Sequence, residues 1–175
     1  MFKKITNNSL INYISNIKTK INIRKTDNIP RGEYLLTYSF KNAEPVRLIC
    51  CSYQDKNYSI LFNYKTKDYS IVQLRFSQKV YDQQIEFYGD IKDNIFYIHA
   101  AYIEKCSLLD NLELLDKLLY TDFKEDLDME NLQLKIKEFY SSVKDIKLLS
   151  NQKVNAILFL NNMLDKQHHI QFLNN

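Results

Sequence analysis

Histidine and cysteine are the residues of this chain whose chemistry is easiest to recognise, and their spacing offers two candidate sites. His99 and Cys106 have the residue types of a thiol–imidazole pair, in which the imidazole would activate the thiol. The adjacent His168 and His169 have the residue type that binds transition metals. The first pair lacks an orienting group and the second lacks further ligands. We therefore expect neither a thiol catalyst nor a metal centre.

Composition excludes a glycine-rich phosphate-binding loop. The chain of 175 residues contains 2 glycines, Gly32 and Gly89, whereas an average composition of ~7% would give about a dozen. Phosphate loops use glycine to bring backbone N–H groups against the ligand. A phosphate group would therefore find no glycine-rich cradle in this chain.

Three strings of the sequence stand out, and the second of them has two parts. Residues 41–47 read Lys-Asn-Ala-Glu-Pro-Val-Arg, and residues 155–159 read Asn-Ala-Ile-Leu-Phe. Between them, residues 87–91 read Phe-Tyr-Gly-Asp-Ile and residues 96–101 read Phe-Tyr-Ile-His-Ala-Ala. In order and spacing, these strings resemble the nucleotidyltransferase domain shared by mRNA capping enzymes (guanylyltransferases) and ATP-dependent ligases. The resemblance covers roughly residues 33–160.

The first string matches the family's Lys-x-Asp-Gly-x-Arg motif when it is aligned on Arg47. This alignment places Asn42 where the resemblance implies the nucleophilic lysine, Glu44 at the aspartate and Pro45 at the glycine. Asn42 has no amine to attack a phosphate. Lys41 is one residue away, and in an extended segment its side chain would lie on the opposite face.

The other two strings have lost carboxylates that the resemblance implies. Asp90 matches a family acid beside Gly89, but Ala100 and Asn155 occupy two further acid positions. Mg²⁺ requires oxygen ligands, usually carboxylates. The resemblance therefore implies a scaffold that has lost catalysis, and we expect no catalytic residue, no bound metal and no cofactor.

The hydrophobic pattern predicts an α+β fold in which an antiparallel sheet is flanked by helices. With the resemblance, this implies a truncated nucleotidyltransferase-like domain without an OB-fold. Helices are predicted over residues 8–21, with Asn7 or Asn8 as cap, over 108–119, with Ser107 as cap, and over 129–143. The predicted strands cover residues 33–39, 46–52, 58–64, 69–76, 84–91, 94–103, 154–160 and 168–173.

The absence of Pro/Gly-rich linkers and repeats predicts one domain over residues 1–175. We divide it into an N-terminal helix and connector (1–32), the nucleotidyltransferase-like core (33–160) and a C-terminal tail or strand (161–175). No apolar run approaches the ~20 residues that span a bilayer, and polar residues interrupt the N-terminus early. We therefore expect no membrane span and no signal peptide.

Three cysteines, two of them adjacent (Cys50 and Cys51), cannot form a disulfide framework. They predict an intracellular, reducing compartment and burial of the adjacent pair. The net charge of +3 is weak evidence for nucleic acid binding, because acidic and basic residues nearly balance. Lysine, asparagine and isoleucine are abundant, as in the products of A/T-rich genomes.

Tyrosines suggest an aromatic face that would either stack on bases or be buried against a protein. The scarcity of arginine favours a protein partner. These tyrosines are Tyr53, Tyr58, Tyr64, Tyr69, Tyr81, Tyr88, Tyr97 and Tyr102.

The main hypothesis for function is a catalytically inactive, capping-enzyme-like domain that serves as a structural or interaction protein in a multi-subunit assembly. The resemblance also implies a setting, the virion of a large DNA virus, in which the chain would be a minor capsid component. Two alternatives remain open: an accessory RNA- or nucleotide-binding subunit of a capping or transcription complex, and an active guanylyltransferase that uses Lys41.

Overall fold

Two β-sheets form most of the computed structural model, which describes residues 2–17, 22–31, 34–102, 123–124, 132–148, 154–161 and 167–173. In chain order the elements are β1 (Lys3–Lys4), α1 (Asn8–Ser15), β2 (Asn22–Lys25), β3 (Tyr34–Phe40), β4 (Glu44–Tyr53), β5 (Lys56–Asn63), β6 (Tyr69–Val72), β7 (Arg75–Phe76), α2 (Gln78–Asp82), β8 (Glu86–Lys92), β9 (Ile95–Tyr102), β10 (Phe123–Lys124), β11 (Gln133–Ile136), α3 (Val143–Leu148), β12 (Val154–Asn161) and β13 (Gln167–Phe172).

The larger sheet has seven strands in the order β1-β6-β5-β4-β8-β9-β11, and the smaller has four in the order β2-β13-β12-β3. Neighbouring strands are antiparallel except for β9–β11 and β2–β13, which are parallel. Strands β7 and β10 form a separate antiparallel pair. The chain crosses from the small sheet to the large one in the tight turn between β3 and β4.

Apolar residues cover both faces of the large sheet. On one face, Leu48, Phe87 and Ile98 pack with Val80 of α2 in the largest buried cluster. On the other face, α1 packs Leu10 and Ile14 against β4 and β5. The Asn7 side chain caps α1 as predicted, since its Oδ1 accepts hydrogen bonds from the backbone N–H of Ser9 and Leu10 at 3.0 and 3.2 Å.

The two sheets face each other through a smaller apolar cluster. Tyr88 and Ala100 of the large sheet pack there against Leu158 and Leu160 of β12. The opposite face of β12 presents Ile157 and Phe159 to Ile146 of α3. Both faces of β12 are therefore buried, in agreement with the prediction of a buried strand from its apolar run.

The α+β class is confirmed, and strands predominate. The expectation of one antiparallel sheet flanked by helices is met only in part, because there are two sheets and two parallel pairs of strands. Within the described ranges the helices have only five to eight residues. None of them has the length and apolar character needed to cross a membrane.

The predicted helix over residues 129–143 is wrong for residues 132–142, none of which is helical. Residues 133–136 form β11, and the helix α3 begins only at Val143. Leu134 and Ile136 are half-buried while Gln133 and Lys135 are exposed, which is the alternation of a strand. Residues 22–25, predicted as connector, form β2. The predicted helix over 108–119 lies outside the described residues.

A β-bulge interrupts the pairing of β8 with β9. Tyr88 lies opposite Ala100 and Gly89 lies opposite Ile98, so His99 is the extra residue. Because of this insertion, Ile98 and Ala101 lie on one face of the sheet although they are three residues apart. Ala100 packs on the other face, towards the small sheet.

Gly89 permits the close approach of the two strands at the bulge. A Cβ atom at this position would lie 1.9 Å from the carbonyl oxygen of Tyr97 and 2.9 Å from the Cα of Ile98. Both contacts are with backbone, so no side-chain rotation relieves them. The bulge therefore depends on glycine at this position.

We expect Gly89→Ala to lower the free energy of unfolding by about 2 kcal/mol or more through overpacking. Conformational propensity alone would favour alanine in a strand by about 0.5–1 kcal/mol. Urea denaturation measures the difference. A variant as stable as the wild type, or more stable, would contradict the close approach of β8 and β9.

Candidate functional site

A cavity of about 460 Å³ lies between the two sheets. The large sheet contributes Pro45, Val46, Tyr88, Gly89, Asp90 and His99, with Tyr64 after β5, and the small sheet contributes Ile23, Ser39, Leu158, Ile170 and Phe172. This volume lies within the range of small-molecule sites, ~300–1,000 Å³. Ile23 and Phe172 are 44% and 49% exposed, so the cavity opens to solvent beside β2 and β13.

A buried ion pair lies at the polar end of the cavity. The Lys137 ammonium donates to Asp90 Oδ2, and the side chains are 0% and 5% exposed. Ser39 Oγ of the small sheet donates to the same carboxylate oxygen at 3.1 Å. Burial lowers the pKa of Lys137, and the Asp90 charge opposes this shift.

The backbone places Lys137 directly after β11. Its N–H donates to the carbonyl oxygen of Ile98 at 2.8 Å, which extends the parallel pairing of β11 with β9 by one residue. Four segments thus meet at one carboxylate: β8 supplies it, β3 and the end of β11 donate to it, and β9 supports the lysine.

His99 is the third polar group of this cluster. Its Nδ1 lies 3.4 Å from Lys137 Nζ, and its Nε2 is buried without a hydrogen-bond partner among the described residues. Burial lowers the pKa of His99 well below its usual value, and the positive charge of Lys137 adds to the shift. The imidazole is therefore neutral. Since the ammonium donates to Nδ1, the proton of the ring is on Nε2.

His168 approaches the cluster from β13. Its ring centroid lies 6.3 Å from that of His99, and its Nδ1 also has no partner within the described ranges. Burial lowers the pKa of His168 to about 4. Two neutral histidines therefore face each other between the sheets. The neighbouring His169 packs edge-on against Tyr34 on the other face of the small sheet.

A second buried ion pair joins Arg47 to Glu86 on the adjacent strand β8. Arg47 also donates to the carbonyl oxygen of Ile17, after α1, at 3.1 Å. Tyr88 donates its hydroxyl to Glu86 Oε2 at 3.0 Å. The side chains of Arg47 and Glu86 are 5% and 0% exposed, so this arginine is part of the packing of β4, β8 and α1.

The candidate nucleophile positions lie outside the cavity lining. Lys41 and Asn42 occupy the turn between β3 and β4, which the hydrogen bond from Ala43 N–H to the Phe40 carbonyl closes at 3.4 Å. Asn42 has a φ of 60°, a conformation that asparagine tolerates better than most residues. Glu44 is exposed and accepts a hydrogen bond from Asn63 Nδ2 at 3.0 Å. The conformation of this turn thus suits asparagine at position 42.

Asp90 and Asn155 have different surroundings. Asp90 lines the cavity and is held by Lys137 and Ser39. Asn155 lies in β12, half-buried, and its Oδ1 has no hydrogen-bond partner within the part of the chain that is described. Asn155 does not line the cavity.

The structure nevertheless brings the three strings together. The first supplies Pro45 and Val46 to the cavity, the second supplies Gly89, Asp90 and His99, and the third supplies Leu158. Residues more than a hundred positions apart thus line one space. In the cavity they provide apolar walls and one carboxylate, Asp90, which Lys137 neutralises.

Sequence reasoning missed Lys137, Ser39 and Glu86, and it assigned His99 and His168 to other sites. Lys137 was placed in a predicted helix, where one lysine among many carries no signal. The alternation of Leu132, Leu134 and Ile136 is the pattern that could have predicted β11, the strand that ends just before Lys137. The proposed partner of His99, Cys106, lies outside the described residues.

The adjacent cysteines are buried free thiols, as predicted. They face opposite sides of β4, and burial raises the pKa of Cys51 to about 11 and that of Cys50 further. The eight tyrosines do not form one face, since Tyr81 and Tyr88 are core residues. Among the described residues, no three side chains of His, Cys, Asp or Glu come together as a metal site would require.

Comparison with models of known protein families gives no match to this chain, and none of the curated proteins matches it.

We expect Lys137→Met to lower the free energy of unfolding by about 3–5 kcal/mol, because it leaves the Asp90 carboxylate buried and unpaired. The double variant Asp90→Leu/Lys137→Met should recover much of this loss. Urea denaturation of the two single variants and the double variant measures the coupling. Strictly additive losses would show that the two charges do not interact.

The stability of the protein should fall as the pH drops below about 6.5. Unfolded histidine takes up a proton near pH 6.5, whereas folded His168 resists protonation until about pH 4. Each such histidine removes about 1.4 kcal/mol of stability per pH unit between these values, and none above them. His99, whose pKa is also lowered, adds to the same slope.

Thermal unfolding of the wild type and His168→Phe between pH 7.5 and 4.5 tests this expectation. The variant should lose less stability than the wild type over this range. The matched control His169→Phe changes the neighbouring histidine on the other face. It should keep most of the wild-type slope, because burial is the main cause of the lowered pKa of His168 and the charge of His169 is the smaller one. Equal slopes in all three proteins would contradict a neutral, buried His168.

Proposed function

We propose that this chain is a catalytically inactive domain of nucleotidyltransferase-like architecture that acts as an interaction component of a larger protein assembly. The observation that carries the proposal is the state of Asp90. Asp90 is the carboxylate in the cavity that the three strings help to line, and Lys137 of the same chain neutralises it.

The ion pair argues against a catalytic metal at this position. Mg²⁺ is held in such sites by carboxylates and substrate phosphates. The Lys137 ammonium already binds Asp90 Oδ2, and a divalent cation beside it would experience like-charge repulsion. Ala100 and Asn155 supply no carboxylate where the resemblance implies acids.

The position of Lys41 argues against covalent nucleotidyl transfer. Lys41 lies in the turn between β3 and β4 and is not part of the cavity lining, whereas Pro45, three residues beyond Asn42, is. Proline also lacks the backbone N–H that a glycine would offer to a phosphate. The positions at which the resemblance implies a nucleophile, a backbone donor and two of the acids therefore hold residues without the required amine, N–H or carboxylate.

Exposed apolar residues support a role in protein interaction. Ile23, Ile29 and Phe172 are 44%, 60% and 49% exposed. Ile23 and Phe172 lie at the mouth of the cavity, on the edge strand β2 and its neighbour β13. An assembly in a reducing compartment, including the virion that the resemblance implies, would accommodate such a surface together with free cysteines.

A second candidate function is an accessory subunit that binds a nucleotide or RNA without catalysis. It is favoured by the volume of the cavity and by the rings of Tyr64 and Phe172 in its lining, on which a base could stack. The Lys25 ammonium lies 5.5 Å from the centroid of the Phe172 ring and would meet a phosphate at the mouth. Binding of this kind would weaken steeply with salt.

Intact-mass measurement after incubation with GTP or ATP and Mg²⁺ or Mn²⁺ tests the main proposal. We expect the mass of the wild type to stay unchanged, because Lys41 does not line the cavity and the Lys137 ammonium is paired with Asp90. The described residues also contain no cluster of side chains that would hold a metal. Lys41→Ala should give the same result.

A covalent nucleotide adduct on the wild type that disappears in Lys41→Ala would overturn the proposal and make Lys41 the nucleophile. Salt-sensitive RNA binding without an adduct would replace the interaction role by the accessory one. Copurification with capsid proteins from virions, resistant to nuclease, would support the structural role.

A further inference from the structure

We propose that the cavity between the sheets binds a small, uncharged and largely apolar molecule that accepts a hydrogen bond from Nε2 of His99. This inference does not rest on the proposed function, since it concerns reversible binding at a site with its own geometry. Three features support it: the walls of the cavity, its charges, and Nε2 of His99, which among the described lining residues is the buried side-chain polar atom without a hydrogen-bond partner.

Apolar groups form most of the walls. Tyr88 of the large sheet packs there with Leu158 and Ile170 of the small sheet. Phe172 continues this apolar surface along β13 to the mouth. Small-molecule sites of this size are predominantly apolar and contain a few polar groups that orient the ligand. The access beside Ile23 means that a ligand can enter without separating the sheets.

The charges of the site are already paired. Of the ionisable residues in the lining, Asp90 binds Lys137, and His99 is neutral. Burial raises the pKa of the Tyr64 phenol. The lining contains no lysine or arginine. A phosphate inside the cavity would therefore lie near the Asp90 carboxylate without a cation of its own, at a large desolvation cost.

His99 provides the orienting donor. The residue is only 3% exposed and lines the cavity. Its Nδ1 is engaged by Lys137, so Nε2–H is the group left without an acceptor among the residues described. A buried donor of this kind is satisfied either by water or by a ligand. The bulge in β9 places His99 on the cavity side together with Ala100.

Two probes of nearly the same shape separate the contribution of the His99 donor to binding from that of the apolar walls. Acetophenone and α-methylstyrene differ in one group, a carbonyl oxygen in place of a methylene, so only the first can accept a hydrogen bond. Ligand-observed NMR titration of the full chain with each probe gives the two dissociation constants. We expect acetophenone to bind about tenfold more tightly, because it satisfies the buried donor of His99 and α-methylstyrene leaves that donor without an acceptor.

The variant His99→Phe removes the donor and keeps an aromatic ring. We expect it to bind both probes with equal affinity. Ile23→Trp adds bulk at the mouth, where a substitution disturbs packing least, and should weaken both probes at least fivefold. Its matched control is Ile29→Trp, at an exposed residue that does not line this cavity. This control should bind both probes as the wild type does.

Several results would overturn the inference. Equal affinities of the wild type for the two probes would show that the donor is not used. No saturation by either probe would mean that the cavity holds only water. Tighter binding of GMP than of acetophenone, lost in Ile23→Trp, would make it a site for an anionic ligand. If His99→Phe fails to fold, the comparison of Ile23→Trp with Ile29→Trp still decides whether the probes enter here.

Discussion

The ion pair between Asp90 and Lys137 is the contact on which the arrangement of the two sheets depends. Both side chains are almost completely buried, and an unpaired charge at this depth would cost several kcal/mol. The carboxylate also accepts a hydrogen bond from Ser39, so β3 of the small sheet is fixed relative to β8 of the large one. The lysine in turn requires β11 to lie parallel to β9, since that pairing brings residue 137 under the cavity.

Polar groups between the sheets explain why a cavity persists there. The outer faces hold well-filled apolar clusters, whereas the contact between the sheets combines a small apolar cluster with two neutral histidines and an ion pair. The ion pair, the Arg47–Glu86 pair and the bulge at His99 each fix a strand position through directional bonds. Directional bonds limit how closely the sheets can approach, unlike apolar side chains that interdigitate.

Local patterns in the sequence were sufficient for most strands and for the cap of α1, because alternation and capping depend on neighbouring residues. They failed where the determining contact is distant along the chain. Asp90 and Lys137 are 47 residues apart, and Ser39 and Asp90 are 51 apart, so neither contact leaves a local signal. The bulge could have been suspected only from Gly89, and the parallel strand β11 was obscured by apolar spacing that also fits a helix.

An ammonium supplied by the chain is not equivalent to a bound metal ion, even where both would neutralise the same carboxylate. A metal dissociates, exchanges and keeps coordination positions open for a substrate. Lys137 is covalently attached, is always present and directs its ammonium to Asp90 and His99. The contact between the sheets is thereby made permanent and independent of any ligand. The three strings meet at one location, but the groups that meet there hold the protein together, so the fold restricts the chemistry without specifying the function.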